Sequence, residues 1–317
     1  MRFGITVLGT NGAVPSAGRY ASAHLFQSEL TDLLIDCGEG TQMRLMAAGA
    51  GAGRISKILI THLHGDHYFG LPGLITSLAL NDRSAPLTIV SPPGLRAKLA
   101  PLLDLDRYRL PFDLHFREHH AEEPAVLFRE DGIEVSAFPL RHRVPANGYV
   151  IREAPRAPNL RKDLIERYAI PYTALPAIKS GEDYVTPGGE RLRHAMLTTP
   201  APPPRAYAYC SDTIYFPELA GYVRGVDLLY HEATFLSDMA EEARAKGHAT
   251  AREAALTARS AGVRRLVMGH FSARYGDLSD HEREAREVFP ASFVARDLYR
   301  FVVPYVHRDA RSAESEP

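Results

Sequence analysis

The sequence predicts an α/β protein whose strands end in polar loops and whose helices follow those loops. Three observations carry that class. Residues 57–61, Lys-Ile-Leu-Ile-Thr, are apolar and β-branched without proline, the pattern of a buried strand. Directly after them stand His62, His64, Asp66 and His67, and then Gly70-Leu71-Pro72-Gly73 opens an apolar run, residues 74–80, with the punctuation of a helix start. The same succession returns at residues 205–210 before Asp212, at 227–230 before His231 and Glu232, and at 263–268 before His270. A sandwich of sheets would bring such strand ends, and the side chains on them, to one rim.

The elements follow in order. Residues 3–8 form a first strand; one charge and a short apolar stretch do not make a signal peptide. The glycine-rich loop at 9–20 lacks the Gly-Lys-Ser/Thr ending of a phosphate loop and the spacing of a dinucleotide fingerprint, so no nucleotide cofactor is expected. Residues 21–26 and 32–37 read as a hairpin, and Gly38-Glu39-Gly40-Thr41-Gln42 opens a helix that runs to about Ala48. Asp36 either hydrogen-bonds the histidine loop or caps the following turn. Beyond the cluster come a strand at 87–90, a helix at 94–103 and strands at 112–116 and 133–139. His115, His119 and His120 lie in charged surroundings without ligand spacing and read as surface residues. His142 follows a strand closely, and the residues alone leave it equally a ligand or an ordinary loop histidine.

From 152 to 204 the composition changes. Prolines recur, charge alternates with a modest basic excess, and one helix candidate stands at 162–168. The stretch reads as an excursion with too little apolar area for a core of its own, either an arm or an ordinary surface insertion. After it, Asp212 can offer two oxygens. Thr250 and Glu253 form a capping box, which puts His248 close to a helix N-terminus, a place suited to anions. Residues 308–317 read as a disordered tail.

Imidazoles and carboxylates suit zinc first, then manganese or iron. His62, His64, Asp66 and His67 fall within six residues and would strain a single tetrahedral site, so a pair of adjacent metals is the natural reading. A chain of 317 residues with 45% apolar and 24% charged residues can bury a sizeable core. No apolar run approaches the ~18 residues of a membrane span. Cys37 and Cys210 read as small buried side chains without a disulfide framework, which fits a reducing, cytoplasmic setting, with a metal contact for Cys210 kept open by its nearness to Asp212. The net charge of −1 excludes a generally basic nucleic-acid binder, so an RNA substrate would have to be met by local patches and metals.

The run Thr61-His62-Leu63-His64-Gly65-Asp66-His67 resembles the metallo-β-lactamase superfamily. Its extension through Tyr68-Phe69-Gly70-Leu71-Pro72-Gly73-Leu74 resembles the ribonuclease Z branch, as do Asp36-Cys37-Gly38-Glu39-Gly40-Thr41-Gln42 and His231-Glu232-Ala233-Thr234. The resemblance implies an αββα sandwich of two mixed sheets flanked by helices. A catalytic domain at 1–151 and 205–307 would carry a flexible tRNA-binding arm at 152–204. Two zinc ions would be held, the first by His62, His64 and His142 and the second by Asp66, His67 and His270, with Asp212 bridging. A hydroxide shared by the metals would attack a phosphodiester, oriented by Asp66. His248, held by Glu232, would protonate the leaving 3′-oxygen, and Arg274 and Arg19 would touch the substrate. The implied substrate is precursor tRNA, whose 3′ trailer is removed to leave a 3′-hydroxyl, and the implied assembly is a homodimer.

The chain departs from the branch at Ala17 and Tyr20, where lysine and asparagine are usual, and lacks the glycine–proline pair of the arm. Two alternatives stand beside this reading. One is a hydrolase of the same superfamily acting on a small phosphodiester, thioester or sulfate ester. The other is a non-catalytic RNA-binding scaffold, which would be free to lose ligands that are all present here.

Overall fold

The computed structural model describes residues 3–14, 16 and 18–305. Pro15, Ala17 and the tail expected at 308–317 lie outside the described residues. The chain divides into one unit of Met1–Arg152 with Arg205–Val303 and another of Glu153–Pro204 with the residues from Pro304 on.

The larger unit is built on two seven-stranded sheets. In the first, Arg300–Val302, Phe3–Gly9, Ala23–Ser28 and Asp32–Ile35 pair antiparallel. The sheet then continues in parallel through Ile55–Leu59, Leu87–Ser91 and Leu114–Glu118. In the second, Ala206–Cys210, Leu228–Glu232, Arg265–Gly269 and Ser292–Val294 run parallel. Ala146–Glu153 joins the second sheet antiparallel to Ala206–Cys210, and Ile133–Leu140 and Ala125–Glu130 complete it.

Alternation along the strands sets the layers, because successive side chains point to opposite faces. Tyr207 and Tyr209 enter the core between the sheets with Phe3, Ile5, Phe26, Ile35, Leu59 and Val135. Ala206, Ala208 and Cys210, one residue out of step, face the layer of Ala251, Ala254, Ala255 and Ala258 on helix Ala251–Ala261. On the outside of the first sheet, Leu34, Ile58 and Ile89 meet Leu74, Ile75 and Leu78 of helix Leu71–Leu80 and Leu95 and Leu99 of helix Leu95–Leu102. The result is four layers, helix–sheet–sheet–helix. Both strand-forming surfaces are covered, as parallel strands require.

Four strands of the two sheets escaped the sequence reading, Ala125–Glu130, Ala146–Glu153, Ser292–Val294 and Arg300–Val302. The first carries a register irregularity between Val126 and Phe128 that breaks its alternation. The second contains Gly148, which reads as a turn residue. Here Gly148 is a packing site, since a Cβ there would stand 2.2 Å from the Phe138 ring. The strand predicted at 112–116 lies two residues later, at Leu114–Glu118.

The smaller unit corrects the expectation that it buries no core. Leu164, Ile170, Ile178, Leu192 and Leu197 are buried together. They are supplied by helices Lys162–Arg167, Leu175–Ser180 and His194–Leu197 and by short strand pairs. The sequence hid this cluster because its members are single apolar residues spread over 34 positions, each from a different element. Among the described residues no helix is long and apolar enough to cross a membrane.

Candidate metal centre

Strand Ile55–Leu59 delivers the chain to Thr61 and His62, and the backbone then turns into the short helix Gly65–Tyr68. Gly65 makes that turn without a positive φ. Its lack of a side chain leaves room for the Phe69 ring, which a Cβ would approach to 2.2 Å.

Around this loop the structure gathers two principal groups, and Asp212 and His270 form a third with His248. The inward nitrogens of His62, His64 and His142 converge with Asp212, and those of His67 and His270 converge with Asp66. His64 Nδ1 lies 3.0 Å from His62 Nε2 and 3.2 Å from His142 Nε2. Asp66 Oδ2 lies 3.4 Å from both His67 Nε2 and His270 Nε2. Asp212 faces both groups. Its Oδ2 is 3.5 Å from His62 Nε2 and 3.9 Å from His142 Nε2, and its Oδ1 is 3.1 Å from His270 Nε2 and 3.6 Å from His67 Nε2.

The outward nitrogens decide which ring atoms face inward. His67 Nδ1 donates to Asp36 Oδ2 at 2.8 Å, and His142 Nδ1 donates to the Gly247 carbonyl at 2.7 Å. Thr234 Oγ1 donates to Glu232 Oε2 and can accept from His270 Nδ1 at 3.0 Å. Thr61 Oγ1 donates to Asp36 and can accept from His62 Nδ1 at 3.1 Å. In its neutral form each of these four rings therefore presents a lone pair on Nε2, the tautomer a metal needs. His67 Nε2 and His270 Nε2 are buried without a hydrogen-bond partner among the described residues. Buried orphan nitrogens facing carboxylates are costly unless something sits between them, and the donor set is one that holds divalent cations. The residues fit a divalent metal site.

Burial alone would raise the carboxyls of Asp66 and Asp212, yet the neighbouring imidazoles in their protonated form, His67 and His270 foremost, outweigh it and hold both far below the usual range, and the same carboxylates outweigh burial at His67 and raise it. Burial pushes His62 down, and His64 and His142 with it. Asp36 and His270 adopt φ of +56°, unusual for residues with a side chain, so the backbone is held in an uncommon conformation where it aims these groups.

Residues 3–147 match the family model for the anti-Pycsar protein Apyc1, and residues 196–271 match that for the beta-lactamase superfamily domain. Ribonuclease Z of Bacteroides fragilis is 42% identical over 296 residues, 93% of this chain and 97% of that one. Ribonuclease Z of Bacteroides thetaiotaomicron is 41% identical over 296 residues, 93% and 94% of the two chains. Among solved structures, human tRNase Z, short form, superposes with a TM-score of 0.69 at 29% identity, covering 95% of this chain and 99% of that one.

The chain belongs to the ribonuclease Z family. Its fold is the metallo-β-lactamase fold. In this ribonuclease Z family member, Glu232 is fully buried at the end of strand Leu228–Glu232. Its Oε1 accepts from Thr213 N, Ala249 N and His248 Nδ1, and its Oε2 from Thr234 N and Oγ1. His248 thus sits 3.0 Å from Glu232, and its Nδ1 is 3.9 Å from Asp212 Oδ2. Burial works to lower the His248 pKa, but the Glu232 charge and hydrogen bond outweigh it and raise it to about 9. The capping box of Thr250 and Glu253 is present.

The two arginines expected at the substrate are otherwise engaged. Arg19 donates through Nη2 to the carbonyls of Ser272 and Tyr275, tying two loops together. Arg274 pairs with Glu242 at 3.0 Å and lies over the Phe235 ring. Arg274 is therefore paired, and Arg19 is held through Nη2 while its Nη1 has no hydrogen-bond partner among the described residues. Cys210 sits in the apolar layer outside the ligand groups, its thiol pushed up by burial, and it is free, as is the buried Cys37. His115 and His120 are exposed, whereas His119 is half-buried and bridges Ser91 and Asn147 through its backbone. Sequence reasoning missed Tyr209, whose hydroxyl donates to Asp36 Oδ2 at 3.2 Å, and Thr234. Tyr209 stands in a strand with no local polar signal, so only the fold brings it to Asp36.

Proposed function

We propose that this family member is a metal-dependent endoribonuclease that removes the 3′ trailer from precursor tRNA and leaves a 3′-hydroxyl on the tRNA. We further assign it two zinc ions per subunit, with manganese able to substitute. The observation that supports this most is Asp212, whose two oxygens face two separate groups of imidazoles. His62, His64 and His142 would hold one cation and Asp66, His67 and His270 the other, with Asp212 between them. When bound, such a pair supplies Lewis-acid activation of water near neutral pH and neutralises charge at a phosphodiester.

The chain's own residues do the rest. Asp66, kept ionised and fixed by the Ala13 N–H at 2.7 Å, orients the attacking water. His248 is protonated at neutral pH because Glu232 holds Nδ1–H, so its Nε2–H is available to the leaving 3′-oxygen. In the smaller unit Lys162, Lys179 and Arg193 make no ion pair among the described residues, which supports an RNA-binding arm. We extend the reading to a cytoplasmic homodimer; light scattering that gives a monomer mass at working concentration removes the dimer.

The decisive experiment incubates the zinc-loaded protein with a precursor tRNA and maps the cut. A single cut at the start of the trailer, lost in chelator, is the expected result. An intact precursor alongside fast hydrolysis of a small ester or thioester overturns it.

A further inference from the structure

The rim of the ligand cluster carries several arginines, and all but one are committed. Arg141 pairs with Glu218 and stacks over Phe216 at 4.3 Å. Arg274 is held by Glu242, and Arg19 by two carbonyls. Arg143, the residue after the ligand histidine His142, is exposed and makes no ion pair, side-chain hydrogen bond or ring contact among the described residues. It is nevertheless close enough for its charge to act on both His64 and His248. Its stem lies against Gly247, where φ is +81° and where a Cβ would stand 3.4 Å from Arg143 Cγ and 2.6 Å from His142 Nδ1. The backbone that braces His142 through the Gly247 carbonyl therefore also makes room for the arginine beside it.

A lone guanidinium at this place is a puzzle in charge. It repels the imidazoles nearest to it and any cation they hold, and no carboxylate offsets it. An anion entering between guanidinium and ligand cluster would be attracted by the arginine and by any cation the cluster holds. A phosphodiester offers non-bridging oxygens that match the planar fork of arginine, which a lysine point charge does not. The geometry points to Arg143 as a phosphate-binding residue, contacting a non-bridging oxygen of the substrate at or next to the scissile phosphate. This deepens the nuclease reading and rests on it for the identity of the substrate, while the phosphate contact itself is open to separate measurement.

The test compares the metal-loaded wild type with R143Q and R143K, using inorganic phosphate as the probe in titration calorimetry and metal analysis alongside. R143Q is expected to keep its metal and to bind phosphate about tenfold more weakly, the loss of one charged hydrogen-bonding group. R143K should fall between R143Q and wild type, because charge survives and the fork does not. With precursor tRNA, R143Q should also reduce the slope of log affinity against log salt by about 1. Equal phosphate affinity in wild type and R143Q overturns the assignment, as does a wild type that binds no phosphate. Parallel loss of metal and phosphate in R143Q also overturns it, since the residue would then serve assembly of the site. If the wild type leaves precursor tRNA whole but R143Q still weakens phosphate binding, the nuclease reading fails and the Arg143 site stands.

Discussion

His67 hands its Nδ1 proton to a buried carboxylate, Asp36, whereas His142 hands its own to a backbone carbonyl, that of Gly247. The contrast runs through the two halves of the cluster. In the half with Asp66, His67 and His270, each imidazole ends on a carboxylate, directly at Asp36 or one hydroxyl away at Glu232 through Thr234. In the half with His62, His64 and His142, only His62 reaches a carboxylate, through Thr61, and His64 Nε2 has no hydrogen-bond partner among the described residues. Carboxylate support makes an imidazole a stronger base and fixes its plane, and it typically changes metal affinity 10- to 100-fold, in round terms. The same ligand chemistry is thus mounted stiffly on one side and loosely on the other. His248 stands between the halves, its ring 5.3 Å from that of His142 and 5.4 Å from that of His270, and Arg143 lies on the looser side beside His142.

The largest perturbation is at the group both halves share. Asp212→Ala should empty both halves and lower phosphodiester cleavage by about a thousandfold or more, read by metal analysis and turnover. A variant that keeps its full metal complement would show that Asp212 does not join them. Asp36→Asn comes next. It should weaken the zinc held by His67 by roughly 10- to 100-fold and the other, which Asp36 reaches only through Thr61 and His62, by clearly less, as seen by titrating the metal-free protein. Equal weakening of both equivalents would erase the difference between the halves.

Gly247→Ala attacks the other side. A methyl group there meets His142 Nδ1 at 2.6 Å in a left-handed backbone, so the half carrying His142 should lose affinity while the Asp36 half keeps its own. The backbone strain should cost about 1–2 kcal/mol of stability, measured by denaturant unfolding. The smallest effect at neutral pH is expected from His24→Gln, which touches neither half. His24 lies in the core between the sheets with Nδ1 on the Tyr207 hydroxyl, and burial lowers its pKa to about 3. Between about 6.5 and about 3 the unfolded chain holds a proton that the folded one refuses. Stability is therefore complete above that window and falls as the pH drops through it, by at most ~1.4 kcal/mol per pH unit. His24→Gln should flatten that acid slope without moving metal affinity; an unchanged slope would show that His24 is not its source.

Much of the site was open to the sequence because ligands cluster where strands end. His62 to His67 announce themselves within six residues, and Asp212 and His270 each follow an apolar run of unmistakable strand character. His142 was a weaker signal, since it stands alone after its strand, with Pro145 following and no second ligand type beside it in sequence. Arg19 and Arg274 illustrate the opposite case. Nothing local in the sequence shows that Arg19 is absorbed by the carbonyls of Ser272 and Tyr275, or that Glu242, 32 residues away, claims Arg274. The core of the smaller unit was hidden for the same reason, its apolar residues being isolated in sequence and adjacent only in space.

The sequence by itself determined the α/β alternation, the ligand types and the chemistry they suit, because periodicity, turn residues and donor atoms are local properties. Tertiary structure alone decided which nitrogen of each imidazole faces inward, how Asp212 divides its oxygens, and which arginine remains unpaired. Those outcomes depend on hydrogen-bond partners such as Asp36, Thr234, Gly247 and Glu242, which reach the site from distant segments. Which of them meets which side chain is set by how two sheets stack, and no stretch of the chain carries that information alone.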